Sequence, residues 1–302
     1  MNTYVKQQIL HHHTVAQRGT FLPKHDLWSD MPPACHPEDI RTPWLSIKYN
    51  IGPPVRYETD LGSKYLLEPG HFLILNHNRA YRLLPDQEQA PQLFCLFFPP
   101  SWVADVTYSR AQSDGYLLDN PYASQTQTVE FVERLHPPDT WIVPLLKEML
   151  SPIREGAVGD GLEEHLRSLF AHMLQLQHDL LCESNQLTAT RVTTRAELYR
   201  RLYLAKDYMH ASYGERLTID ELAGVAGLSS YHFLRSFKAL FKQTPHAYLT
   251  QLRLDKAYSL LTETDIPITQ IGLMVGFQSL PSFINRFRRE IGISPRAYRQ
   301  QR

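Results

Sequence analysis

Gly227-Leu228-Ser229-Ser230-Tyr231-His232-Phe233-Leu234-Arg235-Ser236-Phe237-Lys238 is followed, later in the same chain, by Gly276-Phe277-Gln278-Ser279-Leu280-Pro281-Ser282-Phe283-Ile284-Asn285-Arg286-Phe287-Arg288. The stretches close alike, at Pro245-His246-Ala247-Tyr248 and Pro295-Arg296-Ala297-Tyr298. Phe237 maps onto Phe287, Pro245 onto Pro295 and Tyr248 onto Tyr298 by one common shift. The glycines fall one short of it, so the second turn carries an extra residue. This register predicts a helix-turn-helix written twice. In each copy a short helix, Thr218 to Ala226 or Ile268 to Val275, stops at a glycine able to take the left-handed conformation. A serine, Ser229 or Ser279, then caps the next helix by accepting from its free backbone donors.

Phe233, Phe237, Leu240 and Phe241 recur at helical spacing and predict one apolar stripe facing a core. The opposite face is left for a partner. It carries Tyr231, Leu234, Arg235 and Lys238 in the first copy, and Leu280, Pro281, Ile284, Asn285 and Arg288 in the second. Arginine bonds bidentately to guanine and asparagine to adenine in the major groove, and Leu or Ile can touch a thymine methyl. Ser230, His232, Ser279, Ser282 and Arg286 complete the set of expected DNA-contacting residues. Charge agrees with this: the chain is neutral overall, yet Leu198 to Arg302 holds 15 Lys+Arg against 8 Asp+Glu. A basic module beside an acidic one is the footprint expected where one half meets phosphate.

Residues 198–302 resemble the DNA-binding domain of AraC-type transcriptional regulators. The resemblance rests on Gly276-Phe277, Phe283, Phe287, Gly292, Ser294-Pro295 and Tyr298-Arg299. It implies two helix-turn-helix units joined by a long helix, whose buried side would be Leu249, Leu252, Ala257, Leu260 and Leu261. The sequence departs from the family at Asn285, where arginine is common, and at Pro281, which the first helical turn tolerates.

At 302 residues, the chain has room for about two domains, so a second function is expected upstream. No apolar run approaches the roughly 20 residues that cross a membrane, and the N-terminus shows no signal-peptide core; a cytoplasmic protein is expected. Cys35, Cys95 and Cys182 form no CxxC pair, which points away from a disulfide framework or zinc ribbon.

Residues 40–110 read as short strands: Trp44 to Ile51, Val55 to Thr59, Tyr65 to Leu67, His71 to Leu75, Tyr81 to Leu84 and Leu93 to Phe98, separated by Pro- and Gly-bearing turns. Regular short strands predict a sandwich or barrel. The stretch Tyr65 to Phe72 is similar to a cupin turn, and the family resemblance implies a cupin-like sensor barrel here. A barrel interior can hold a small ligand, with Trp44, Tyr49, Tyr57, Tyr65, His71, Arg79 and Tyr81 as candidate lining. No metal site and no cofactor are expected. His71 and His77 would lie roughly 20 Å apart on one strand at about 3.3 Å per residue, and His11-His12-His13 reads as a solvated terminal tract.

Leu162, Leu166, Leu169, Met173, Leu176 and Leu180 alternate in steps of four and three, the spacing of a coiled-coil seam. Two readings stand: a dimer interface, or a stripe packed on the barrel. Cys182 to Ala196 is polar and aperiodic, a linker by composition. The expected chain is therefore an α+β multidomain protein, with a sensing and dimerising domain over 1–181, a linker over 182–197 and a DNA-binding domain over 198–302. The function expected is a ligand-responsive, sequence-specific transcriptional regulator of the activator type, not an enzyme. Its expected partners are double-stranded promoter DNA, a small-molecule effector, a second copy of the chain and, for an activator, RNA polymerase. The alternatives are a constitutive dimeric DNA-binding regulator and a cupin enzyme fused to a DNA-binding module.

Overall fold

A computed structural model describes residues 24–28, 40–42, 44–85, 91–111, 129–154, 161–184, 187 and 192–300. Cys35 and the His11-His12-His13 tract lie outside them. The chain forms two compact units, Met1–Glu183 and Ser184–Arg302: a β-rich region followed by a helical one.

The first unit contains β1 (Lys24–Trp28), β2 (Ile40–Thr42), β3 (Leu45–Asn50), β4 (Val55–Thr59), β5 (Lys64–Leu67), β6 (Phe72–Leu75), β7 (Arg79–Pro85), β8 (Leu93–Phe98) and β9 (Leu135–His136). Three helices accompany them: α1 (Pro100–Ala111), α2 (Ile142–Arg154) and α3 (Leu162–Ser184). The strands pair antiparallel into two sheets, ordered β1-β8-β3-β6-β9 and β2-β7-β4-β5. Among the described residues no strand pairs from one sheet to the other.

Burial follows the layering. In β4 the buried residues alternate with half-exposed ones, the mark of a sheet with one wet face. Every residue of β3 is buried, because that sheet is covered on both sides. Leu45, Ile47, Tyr49, Phe72, Ile74, Phe94, Leu96 and Phe98 share a cluster with Trp102 and Val103 of α1, Leu146 and Met149 of α2, and Phe170 of α3.

Into that cluster go the leucines read either as a dimer seam or as a stripe packed on the barrel. Leu166, Leu169 and Met173 are at most 2 % exposed, and Leu162 and Leu176 pack half-buried at its edge. Leu180 is buried as well. Of the two readings of this stripe, the burial of Leu166, Leu169 and Met173 favours packing on the chain's own sheet and helices. The polar stretch expected to link the domains is also helical at both ends, since α3 runs to Ser184 and α4 begins at Val192.

The second unit is a run of helices: α4 (Val192–Ala211), α5 (Ile219–Val225), α6 (Ser230–Phe241), α7 (Pro245–Glu263), α8 (Ile268–Met274), α9 (Leu280–Ile291) and α10 (Pro295–Arg299). The two short-helix, turn, long-helix pairs expected from the duplication are α5–α6 and α8–α9, and α7 joins them with Leu249, Leu252, Ala257 and Leu261 buried. Phe283 and Phe287 lie in one core with Leu254, Ala257, Leu261, Ile271 and Val275. Truncating such a phenylalanine to alanine costs about 3–5 kcal/mol.

Candidate nucleic-acid interface

The sequence sets the ends of both reading helices. Gly227 (φ 61°) and Gly276 (φ 89°) turn the chain in the left-handed region, and the serine caps follow. Ser229 Oγ accepts from the His232 amide at 3.4 Å and Ser279 Oγ from the Ser282 amide at 3.4 Å. The helix before the first turn has a full capping box, with Thr218 and Glu221 satisfying each other's backbone donors. Its counterpart starts at Pro267 with no side-chain cap.

On α6, Phe233, Ser236 and Phe237 are buried, so the opposite stripe faces outward. That stripe is Tyr231, Leu234, Arg235 and Lys238, at i, i+3, i+4 and i+7, all exposed; Tyr231 reaches 76 %. His232 is exposed beside them. Ser230 is engaged within the module, its hydroxyl donating to the Asp220 carboxylate.

The equivalent face of α9 is differently made. Pro281, Ser282, Asn285 and Arg288 are exposed, with Ser279 exposed at the cap. Leu280 and Ile284 are half-buried against the core holding Phe283 and Phe287, so only an edge of each is open. Arg286 turns off the stripe and pairs with Glu290 at 3.1 Å. Arg289, not singled out from the sequence, is exposed beside Arg288; its signal was its place one helical turn beyond Asn285.

The candidate ligand residues of the first unit divide. Tyr57 and Tyr65 are paired across β4 and β5, and Tyr81 stands 5.4 Å from Tyr57, ring to ring. These three face the space between the sheets. Burial, followed by the nearby Cys95 and Tyr81, pushes the Tyr57 hydroxyl well above its usual range. Tyr49 lies on the other face, in the core with the helices, and its hydroxyl is also pushed up by burial. His71 sits on a turn, its ring Nδ1 3.3 Å from the Pro69 carbonyl oxygen. Arg79 pairs with the buried Glu133 at 2.7 Å. Trp44 is half-buried at the start of β3. The sequence reading missed Lys48, fully buried between the sheets with its Nζ 3.8 Å from the Phe97 ring centre and 5.2 Å from that of Tyr81. Hidden in an apolar strand, it gave no periodic signal.

Among the described residues no group of three His, Cys, Asp or Glu side chains is placed to hold a metal, and no helix is long and apolar enough to cross a membrane.

Residues 222–301 match the family model described as a helix-turn-helix domain. The chain is 39 % identical over 94 residues to the HTH-type transcriptional regulator ArgR of Pseudomonas aeruginosa, a match covering 31 % of this chain and 29 % of ArgR. It is 30 % identical over 152 residues to the MmsAB operon regulatory protein of the same organism, covering 47 % and 50 %. A solved transcriptional regulator from Chromobacterium violaceum, with an AraC-type DNA-binding domain, is 38 % identical; the match covers 33 % of this chain and 90 % of that one, with a TM-score of 0.32. The chain thus spans half or less of the length of these two curated relatives.

Proposed function

We propose that this chain, whose C-terminal unit is an AraC-type DNA-binding domain, is a ligand-responsive transcriptional regulator that reads two adjacent boxes of promoter DNA. The observation that carries the reading is the pair of exposed stripes, Tyr231-Leu234-Arg235-Lys238 on α6 and Pro281-Asn285-Arg288 on α9. Arg235 can specify guanine and Asn285 adenine, while Lys238, Arg288 and Arg289 supply phosphate contacts that fix register. Selection from a random duplex library tests it: the full chain should enrich a two-part sequence, and failure to enrich any sequence rejects sequence-specific reading.

The first unit is the sensor in this proposal, acting as a cytoplasmic switch on a homodimer and, in an activator, on RNA polymerase. An effector shifts the regulator only as far as it prefers one arrangement over the other. Tyr57, Tyr65, Tyr81 and Lys48 are the polar groups it would meet between the sheets. A thermal-shift panel of metabolites on the full chain tests this, since a ligand of the folded state raises apparent stability. One observation favours the constitutive alternative: Tyr57 and Tyr65 are 0 % exposed, so protein fills the space around them and entry requires the sheets to part.

A further inference from the structure

The two reading helices belong to different halves of the second unit, and Arg253 lies where those halves meet. Arg253 projects from the linking helix α7. Its Nε donates to the Tyr213 carbonyl at 2.8 Å and its Nη2 to the Glu215 carbonyl at 2.7 Å. Those carbonyls lie in the loop between α4 and α5, which leads into the first helix-turn-helix. The same guanidinium lies under the turn of the second. A Cβ added to Gly276 would stand 2.9 Å from Arg253 Cζ and 2.6 Å from the Tyr213 carbonyl oxygen. From the other side, a Cβ on Gly214 would meet the Met274 carbonyl oxygen at 2.7 Å. Tyr213 also packs against the core of the second half. A loop of the first half, a turn of the second and one side chain of the linking helix therefore interlock at backbone contact.

We infer that Arg253 is a positioning residue that fixes the offset between the two reading helices, and with it the spacing of the DNA boxes. The inference rests on the DNA-reading function proposed above. A planar fork serves this role because it holds two carbonyls in fixed directions, whereas a lysine offers one mobile point charge. Charge is not the operative property; the geometry of the two bonds is. Arg253 itself is half-buried on the linking helix and belongs to neither stripe, so its effect on DNA reaches the duplex through the helices it sets.

The test uses the full chain and duplexes chosen by the wild type from a random library: the two-box site, each box alone, and the site with one or two base pairs inserted between boxes. The variants are Arg253→Lys and Arg253→Met. Expected is a loss of about tenfold on the two-box site with each single box within about twofold of wild type, because coupling between linked modules is what is lost. The penalty that wild type suffers from inserted base pairs should shrink in the same variants. Equal losses on single and paired boxes, or an unchanged spacing penalty, would overturn the assignment. If Arg253→Met does not fold, Arg253→Lys carries the test; if neither folds, Arg253 serves stability alone and the assignment fails. Should wild type select no sequence, the DNA reading fails first, which is a separate outcome.

Discussion

Arg235 on α6 and Asn285 on α9 occupy the same place on two equivalent helices, at one offset from their capping serines, and both are exposed. The duplicated scaffold thus presents different chemistry at its two equivalent reading positions. Arg235→Ala should cost about 1–3 kcal/mol on the selected site and relax preference at one base pair. Asn285→Ala should do the same at one position of the other box, and Lys238→Ala should weaken all sequences alike. Binding of each variant to single-base-altered duplexes decides it; uniform losses for Arg235→Ala would make it a phosphate contact.

The two reading helices also end differently. Lys242 closes α6 in the left-handed region at φ 59°, where its counterpart Gly292 closes α9 at φ 89°. An L side chain there is strained by roughly 1–2 kcal/mol. Part of this is offset by the extra freedom glycine loses on folding, so Lys242→Gly should stabilise the second unit by up to about 1 kcal/mol. Chemical denaturation reads the change, and a destabilised variant would contradict it.

In the first unit, Leu169 is 0 % exposed within a single chain. Leu169→Ala should cost about 2–5 kcal/mol, and Leu169→Glu should unfold the unit by burying an unpaired charge. Circular dichroism with sedimentation separates the outcomes. A folded Leu169→Glu monomer derived from a wild-type dimer would restore the seam as an interface between chains.

His136 is 2 % exposed and stacked on Phe72 at 4.8 Å. Burial, and then the charge of Arg134, hold its imidazole well below the usual histidine value of 6.5. Because the folded form binds the proton less readily, the unfolded chain takes it first as pH falls. The related stability is complete above 6.5 and drains away below it, towards the folded pKa. Glu197, held at about 2 chiefly by its bond from Arg200, acts in a separate window below its ordinary 4.5. His136→Phe should therefore flatten the fall in melting temperature between roughly pH 7 and pH 5; an unchanged slope would assign that fall to other groups.

The second unit was legible because its signals are local. Ser229, Ser279, Gly227 and Gly276 mark helix ends by backbone chemistry, and Phe233 and Phe237 mark a buried face by spacing. What periodicity cannot report is the identity of the surface opposite: the Leu166, Leu169 and Met173 stripe was read correctly as apolar, but the sheet that covers it comes from residues far away in sequence. Lys48 was hidden for the same reason, since a strand covered on both faces does not alternate. Arg253 was equally invisible, because its partners are backbone carbonyls of another segment.

The central claim is that one chain reads two boxes with α6 and α9 from the same side of the duplex. Hydroxyl-radical footprinting of the full protein on its selected site tests this most directly. The account predicts, for each chain bound, two protected patches about 10 base pairs apart, the separation of successive major grooves on one face, with Arg235→Ala weakening one patch and Asn285→Ala the other. A single patch per chain, or two patches that both weaken equally with either substitution, would contradict it.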